Sequence, residues 1–205
     1  MSLERLDDPT RALIGLATAI AMGDEAAIES QGHSCRKAAV PPLWVDELLL
    51  QSVLICGWPR ALVAVRIWRH ATGIAEPQED GSDYGRHAEW AVRGERVCRT
   101  VYGGRYEALR RNVRGLHPDL DAGMITEGYG RILGRPGLHL ARRELCSVAQ
   151  IAILNAPRQL RSHLKGALHA GASPAAVSET LEQVRPFLNP DEWRSVTLLW
   201  ERGQA

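Results

Sequence analysis

Hydrophobic residues recur at the spacing of an α-helix along most of the chain, and no sustained alternation typical of a β-strand interrupts them. The clearest stripe runs from Ala141 to Asn155, where Leu145, Val148 and Ala152 fall on one helical face. A short turn at Pro157 then separates this helix from the next one. The pattern predicts an all-α protein.

Prolines and glycines mark the helix ends that follow. Pro157 suits the first turn of a helix that ends at Gly171, because proline is tolerated at a helix start and glycine readily adopts the left-handed conformation that ends one. Ser173 and Pro174 provide an N-cap and a first-turn proline for another helix. Residues 189–192 repeat this arrangement, so a final helix is predicted after them.

The sequence also resembles itself. At an offset of 132 positions, residues 11–68 align with residues 143–200 without a gap. The best-matched block, Pro-x-x-Val-x-Glu-x-Leu-x-Gln, begins at Pro42 in one copy and at Pro174 in the other, and it marks a helix start in both. We therefore predict an internal duplication in which each copy contributes three helices.

Residues 76–85 separate the copies and are rich in Gly, Asp, Glu and Ser, which is typical of an exposed linker. Helices are predicted beyond them over residues 86–102 and 105–116, and a further helix begins at residues 117–119. The predicted organisation has three parts: an N-terminal helical repeat over residues 1–75, an exposed linker over residues 76–89, and a helical connector with the C-terminal repeat over residues 90–205.

Composition and charge narrow the classes of function. Hydrophobic residues make up 45% of the chain and charged residues 24%, as in ordinary globular proteins, and the formal net charge is +1. This balance gives no electrostatic reason to expect a nucleic acid or a membrane as partner. No apolar run approaches the roughly 20 residues that span a bilayer, and the N-terminus is too polar for a secretory leader, so a cytoplasmic location is expected.

Cysteine and histidine spacing argues against a bound metal. The four cysteines lie far apart and form no CxxC motif, and the histidines show neither HxxxH nor HExxH spacing. Reduced thiols and no bound metal are therefore expected. The cysteines are Cys35, Cys56, Cys98 and Cys146.

The helical hairpin over residues 143–171 carries the best candidate for chemistry. Two helices joined by a short turn pack antiparallel, which places His163 opposite Ser147 and places Glu144 one turn further along. Gln159 precedes His163 by four residues and shares its face. A carboxylate near an imidazole raises its pKa and fixes its tautomer, which makes a proton donor or acceptor that works near neutral pH.

Other interpretations of these residues stay open. A histidine on a helix is more often a hydrogen-bonded structural residue, and a Glu–His pair is common at helical interfaces. A non-catalytic assembly or ligand-binding protein with the same fold is therefore a second hypothesis. A third is a peroxidase that uses Cys146 or Cys35, which would need an exposed thiol of low pKa.

The same stretch resembles the carboxymuconolactone decarboxylase family. The resemblance rests on Arg143-Glu144-Leu145-x-x-Val-Ala and on residues 159–173, with support from residues 129–138 upstream and from residues 47–61 of the first copy. It implies an all-α, duplicated fold of the alkylhydroperoxidase D-like type. It also implies cofactor-free proton transfer or decarboxylation on a small acidic lactone or carboxylate.

The resemblance also suggests roles for individual side chains. His163 would move the proton, and Glu144 would orient or assist His163. The side chains expected to hold or border the substrate are Gln159, Ser147, Tyr129, Arg131 and Arg143. Members of this kind further imply self-association, as a trimer or a dimer with a pseudo-hexameric arrangement and with tryptophan-bearing helices at the interface.

Two departures from the wider superfamily restrict the chemistry. Alkylhydroperoxidase D uses a CxxC motif with a histidine four residues after its second cysteine, whereas Ala156 and Gln159 occupy those cysteine positions before His163. Thiol chemistry of that type therefore lacks its nucleophile. The first repeat carries Ala12 and Gln31 at the positions of Glu144 and His163, so it is expected to be structural.

Two further groups of residues have simpler explanations. His33 lies near the degenerate site but is expected to be an exposed surface residue, and Cys146 is expected to be a small core residue. A basic face is expected to be solvated or paired with acids rather than to bind anions. Its members are Arg105, Arg110, Arg111 and Arg114.

Overall fold

A computed structural model describes residues 3–78 and 84–204. Within these ranges every regular element is helical, and the single isolated backbone bridge joins Leu3 to Ala172. The predicted all-α class is confirmed. The α-helices are α1 (Asp8–Met22), α2 (Glu25–Lys37), α3 (Pro42–Thr72), α4 (His87–Tyr102), α5 (Tyr106–Leu116), α6 (Pro118–Gly123), α7 (Leu140–Ile153), α8 (Pro157–His169), α9 (Pro174–Val184) and α10 (Pro190–Gln204).

Shorter helical segments join some of these elements. A π-helical segment, Met124–Leu133, continues directly from α6 and is called the π segment below. Single 3-10 turns precede α4, separate α4 from α5, and follow α9; they are Tyr84–Arg86, Gly103–Arg105 and Arg185–Phe187. The helix predicted to run from His117 toward Tyr129 is therefore divided into α6 and the π segment.

Short polar side chains determine where several helices begin. Asp7, Asp24 and Ser173 each accept a hydrogen bond from the backbone N–H three residues later, at 2.8 to 3.0 Å. Each side chain thereby satisfies an N–H group that the first helical turn leaves without a partner. The starts predicted at Pro157 and Pro174 coincide with the first residues of α8 and α9.

Helix boundaries repeat at the offset of 132 residues. Helix α2 and helix α8 match at both ends, since residues 25–37 become residues 157–169. Backbone conformation repeats as well: left-handed Gly23 (φ 73°) corresponds to Asn155 (φ 49°), and Ala39 (φ 53°) corresponds to Gly171 (φ 101°). The predicted duplication is confirmed at the level of backbone geometry.

The prediction of three helices in each copy is correct for the first repeat and wrong for the second, because the single helix α3 corresponds to two helices, α9 and α10. Helix α3 leaves helical geometry at Gly57 (φ 78°, ψ 166°), and this position matches Asn189, which lies between α9 and α10. By length and composition α3 is apolar enough to cross a membrane, and no other described helix meets those criteria. A single helix of this kind is weak evidence for a membrane span. The break at Gly57 also leaves two segments that are each shorter than the ~20 residues a span requires.

The two repeats contact one another in a reciprocal manner. Glu47 of the first repeat binds Arg143 of the second at 2.7 Å, and the equivalent Glu179 binds Arg11 at 2.6 Å. The amides behave likewise: Gln51 donates to the carbonyl of Arg143 at 3.1 Å, and its equivalent Gln183 donates to the carbonyl of Arg11 at 2.8 Å. Such an exchange of equivalent partners defines a pseudo-two-fold relationship.

Both repeats contribute to one hydrophobic core, in which α1 packs against α7. The described part of the predicted linker includes the start of α4 at His87, and residues 79–83 of that linker lie outside the described residues. The division of the chain at residues 75 and 90 remains a prediction.

A smaller hydrophobic cluster lies between α4 and the π segment. Its buried members are Cys98, Val101, Tyr106, Ile125, Tyr129 and Leu133. Two glycines allow these elements to cross closely, because a Cβ atom on Gly94 would overlap the carbonyl oxygen of Ile125, and one on Gly130 would overlap that of Trp90. Helix α4 also packs against α8, so this cluster covers one side of the α7–α8 hairpin.

Candidate active site

The α7–α8 hairpin brings Glu144 and His163 into direct contact. Nδ1 of His163 lies 2.8 Å from Oε2 of Glu144. The Glu144 side chain is completely buried, and that of His163 is 14% exposed. Gly166 leaves room for the carboxylate, since a Cβ atom there would lie 2.7 Å from the same Oε2. The hairpin therefore brings the two side chains into direct hydrogen-bond contact although Glu144 lies one turn further along than Ser147.

The carboxylate determines the state of the imidazole. Burial alone would lower the pKa of His163, but the negative charge of Glu144 and its hydrogen bond outweigh burial, so the pKa of His163 is raised above its ordinary value. Because a carboxylate only accepts hydrogen bonds, Nδ1–H donates to Glu144. Nε2 has no hydrogen-bond partner in residues 3–78 and 84–204 and is the nitrogen left for chemistry.

Two tyrosines complete the polar surroundings of Glu144. The rings of Tyr102 and Tyr129 meet edge to face, with centroids 6.2 Å apart. Burial, and to a smaller extent the charge of Glu144, raise the pKa of both tyrosines. Both hydroxyls therefore keep their protons near neutral pH and can donate hydrogen bonds. Oε1 of Glu144 is buried without a hydrogen-bond partner in the described part of the chain.

Arg143 and Ser147 lie on the side of α7 that faces α3. Arg143 is completely buried; it binds Glu47 at 2.7 Å and donates to the carbonyl of Leu138 at 3.0 Å. The hydroxyl of Ser147 accepts from the amide of Gln51 at 3.4 Å. These residues are placed at the contact between the repeats, and the substrate contacts predicted for them remain predictions.

Gln159 and Arg131, also predicted to bind substrate, lie on α8 and on the π segment. Gln159 shares the His163 side of α8 but is exposed. Arg131, on the π segment, binds Glu127 at 3.1 Å and stacks over the rings of Tyr84 and Trp90. Of the five predicted substrate-binding residues, Tyr129 is the one whose pKa is raised in part by the charge of Glu144.

The structure adds residues to the site that the sequence did not indicate. Tyr102 ends α4, and its hydroxyl interacts with those of Tyr129 and Ser162. Ser162 lies next to His163 in the sequence, which was the available signal for it. Nothing in the sequence signalled Tyr102, because its position depends on how α4 docks against α8.

A cleft opens beside this cluster, between the end of α4 and helix α8. Its volume is about 450 Å³. Tyr102 and Ser162 contribute to its wall, so the cleft adjoins the polar surroundings of Glu144. Its remaining lining residues are Val101, Gly104, Arg105, Arg158, Arg161, Lys165 and His169.

The corresponding position in the first repeat is filled. Gln31, the equivalent of His163, lies so close to Gly15 that a Cβ atom on this glycine would overlap the amide of Gln31. Ala12 stands where the second repeat has Glu144, so the first repeat has no carboxylate at this position. His33 is exposed, as the sequence suggested.

The cysteines have none of the properties of a reactive thiol. Burial raises the pKa of Cys35 and of Cys98 to about 12 and that of Cys56 to about 11. Burial raises the pKa of Cys146 further, and this residue lies in the main core. A thiolate nucleophile requires the opposite shift.

Together the fold and the site define an all-α, internally duplicated protein with a buried Glu–His pair in its second repeat. The chain belongs to the carboxymuconolactone decarboxylase family, whose model matches residues 1–70 and 118–201. These two segments contain the two repeats, and the resemblance seen in the sequence is confirmed. Helices α4 and α5 lie outside the matched segments. No curated protein matches the chain.

Proposed function

We propose that this family member decarboxylates a small acidic lactone or a related carboxylate without a cofactor, with His163 as the proton donor. The observation that supports the proposal is the 2.8 Å contact between Glu144 and His163, in which a buried carboxylate holds an imidazole of raised pKa. Such an imidazole keeps its proton to a higher pH than an ordinary histidine and presents Nε2–H as an acid.

The proposed decarboxylation uses the proton that the His163 imidazole carries. The bond between the substrate and its carboxylate carbon breaks, CO₂ leaves, and the electron pair enters the conjugated system as a dienolate. His163 donates the Nε2 proton to the carbon atom that becomes electron-rich. The neutral imidazole then takes a proton from water, while Glu144 keeps the ring oriented throughout.

Stabilisation of the dienolate requires donors near its oxygen. We assign this role to the hydroxyls of Tyr102 and Tyr129, whose raised pKa values keep them protonated. We further propose that the enzyme is cytoplasmic and that its substrate is a small acidic molecule.

Carboxymuconolactone is the probe that tests this assignment. Wild-type protein is expected to release CO₂ from it, and His163→Ala is expected to lower kcat by about 10²–10⁴-fold, the usual contribution of a positioned acid. His33→Ala removes an exposed histidine and serves as the matched control, with unchanged kcat. Equal turnover by His163→Ala and wild type would contradict the assignment.

A second candidate function is non-catalytic ligand binding or assembly on the same scaffold. This alternative is supported by the burial of the pair from solvent, since the Glu144 side chain is fully buried and that of His163 is only 14% exposed. Under this alternative, wild-type protein releases no CO₂, and His163→Ala alters stability alone.

We also propose self-association through the exposed apolar face of α3. Trp58 and Leu62 lie one turn apart after the break at Gly57, Leu54 lies before it, and the three side chains are 64%, 59% and 41% exposed. Large apolar side chains exposed to solvent are typical of contacts between subunits.

A further inference from the structure

Cationic side chains surround the cleft beside the Glu–His pair. They are Arg105, Arg158, Arg161 and Lys165. Arg105 approaches from the turn after α4, and the other three approach from α8, so positive charge borders the cleft from two elements. None of the four has an ion-pair partner in the described ranges.

Two arginines near the cleft, in contrast, are paired with an acidic residue. Arg110 and Arg114 of α5 both bind Asp121, and that acid is almost completely buried. The sequence led us to expect that the basic face is solvated or paired with acids, and Arg110 and Arg114 are paired in this way. Arg105, from the same face, lines the cleft.

Helix α8 itself lacks negative charge. Its sequence from Pro157 to His169 contains no acidic residue, and its first turn has no side-chain cap. Arg158 and Arg161 lie near the helix N-terminus, where the helix dipole is also positive. Positive charges at this end repel the dipole unless an anion neutralises them, so the arrangement suits an anionic ligand.

We propose that the cleft binds a small organic molecule that carries two phosphate groups. One phosphate monoester already carries a charge of about −1.5 to −2 near pH 7, so a ligand with two phosphate groups matches four cations better than a dicarboxylate of charge about −2 does. Arginine binds phosphate oxygens through paired N–H donors, and the hydroxyl of Ser162 adds a further donor at the wall. The volume of about 450 Å³ is within the range of sites for small organic ligands.

This site is built partly from residues outside the family match. Val101, Tyr102, Gly104 and Arg105 form the α4 side of the cleft and lie between the matched segments 1–70 and 118–201. His169 fixes this side against α8, since its Nδ1 donates to the carbonyl of Val101 at 2.8 Å. Binding at the cleft does not require that His163 be catalytic.

Titration calorimetry with ADP and with pyrophosphate, in the absence of divalent cations, tests the proposal. Binding of both probes identifies the two phosphate groups as the recognised chemistry, and tighter binding of ADP identifies a nucleotide as the source. The affinity is expected to fall as NaCl rises. Arg158→Gln/Arg161→Gln is expected to weaken binding by about tenfold or more, as expected for lost charge-assisted hydrogen bonds.

The matched control is Arg66→Gln/Arg111→Gln, which removes two exposed arginines elsewhere and should bind both probes like wild type. His163→Ala should also retain binding, so failure of the decarboxylase assignment and failure of this site are distinguishable. The proposal is overturned if wild type binds neither probe, if both double variants bind equally, or if succinate binds as tightly as pyrophosphate.

Discussion

Nδ1 of His163 lies 2.8 Å from Oε2 of Glu144, and the two residues come from opposite arms of the α7–α8 hairpin. Their counterparts in the first repeat, Gln31 and Ala12, cannot form an acid–base pair. The scaffold is therefore present twice and the titratable pair once.

Replacement of Glu144 by Gln should reverse the direction in which the pKa of His163 is shifted. The raised pKa depends on the Glu144 charge and hydrogen bond, whereas burial acts in the opposite direction and persists in the variant. The pKa of His163 is then expected to fall below about 6.5, the ordinary value for histidine. NMR titration of the imidazole measures it, with exposed His33 as the internal reference. An unchanged pKa would show that the carboxylate does not control the ring.

The same pair should make stability depend on pH. Because the folded-state pKa of His163 is raised, its stabilising contribution is fully present below the unfolded value of about 6.5 and disappears as the pH rises through the folded value. Each unit of elevation corresponds to about 1.4 kcal/mol. The double variant Glu144→Gln/His163→Gln removes both groups, so the difference in unfolding free energy between wild type and this variant should shrink between pH 6 and pH 9 in urea titrations. A difference that stays constant over this range contradicts the linkage.

Two equivalent ion pairs should differ in strength because they differ in burial. Glu47→Gln leaves the guanidinium of Arg143 buried without its partner and should lower the free energy of unfolding by about 3–5 kcal/mol. Glu179→Gln disrupts the equivalent pair with Arg11, which is 44% exposed, and should cost much less. Chemical denaturation of both variants provides the comparison, and equal losses would refute the dependence on burial.

The crossing of α4 over the π segment should not tolerate a methyl group. Gly130→Ala places a Cβ atom against the carbonyl of Trp90, so the two elements must separate, at a cost of about 1–3 kcal/mol. Gly115→Ala serves as the control, because open space surrounds this helical glycine and alanine favours the helix by up to about 1 kcal/mol. Thermal unfolding should move in opposite directions for the two variants.

The exposed face of α3 should control the oligomeric state. Light scattering of wild-type protein is expected to give a trimer or a dimer, and Trp58→Arg/Leu62→Arg should give a monomer with unchanged circular dichroism. The control Val92→Arg changes another exposed apolar residue, on α4, and should keep the wild-type mass. A wild-type monomer, or an oligomer that survives Trp58→Arg/Leu62→Arg, would exclude this face as the interface.

Local sequence signals sufficed for the helices, the duplication and the Glu144–His163 contact. Caps and prolines act within one turn, and a hairpin with a short turn fixes which residues face one another. These features require no knowledge of distant segments, so they could be predicted from the residues themselves.

Features that depend on distant packing could not be predicted. Arg143 adjoins Glu144 in the sequence and was expected near the substrate, yet α7 is buried on every side from Ala141 to Ala152, and its opposite face meets Glu47 of α3. Tyr102 reaches the site only because α4 docks against α8, while Gly94 and Gly130 let α4 cross closely over the π segment. Neither relationship leaves a periodic signal in the sequence.

The reciprocal contacts of Gln51 with Arg143 and of Gln183 with Arg11 also bear on the history of the molecule. An ancestor with one repeat would have needed a second copy of itself to complete each of these contacts, as a symmetric homodimer does. Covalent linkage of the two repeats makes that partnership permanent within one polypeptide. Each half can then differ from the other at equivalent positions, as Gln31 differs from His163.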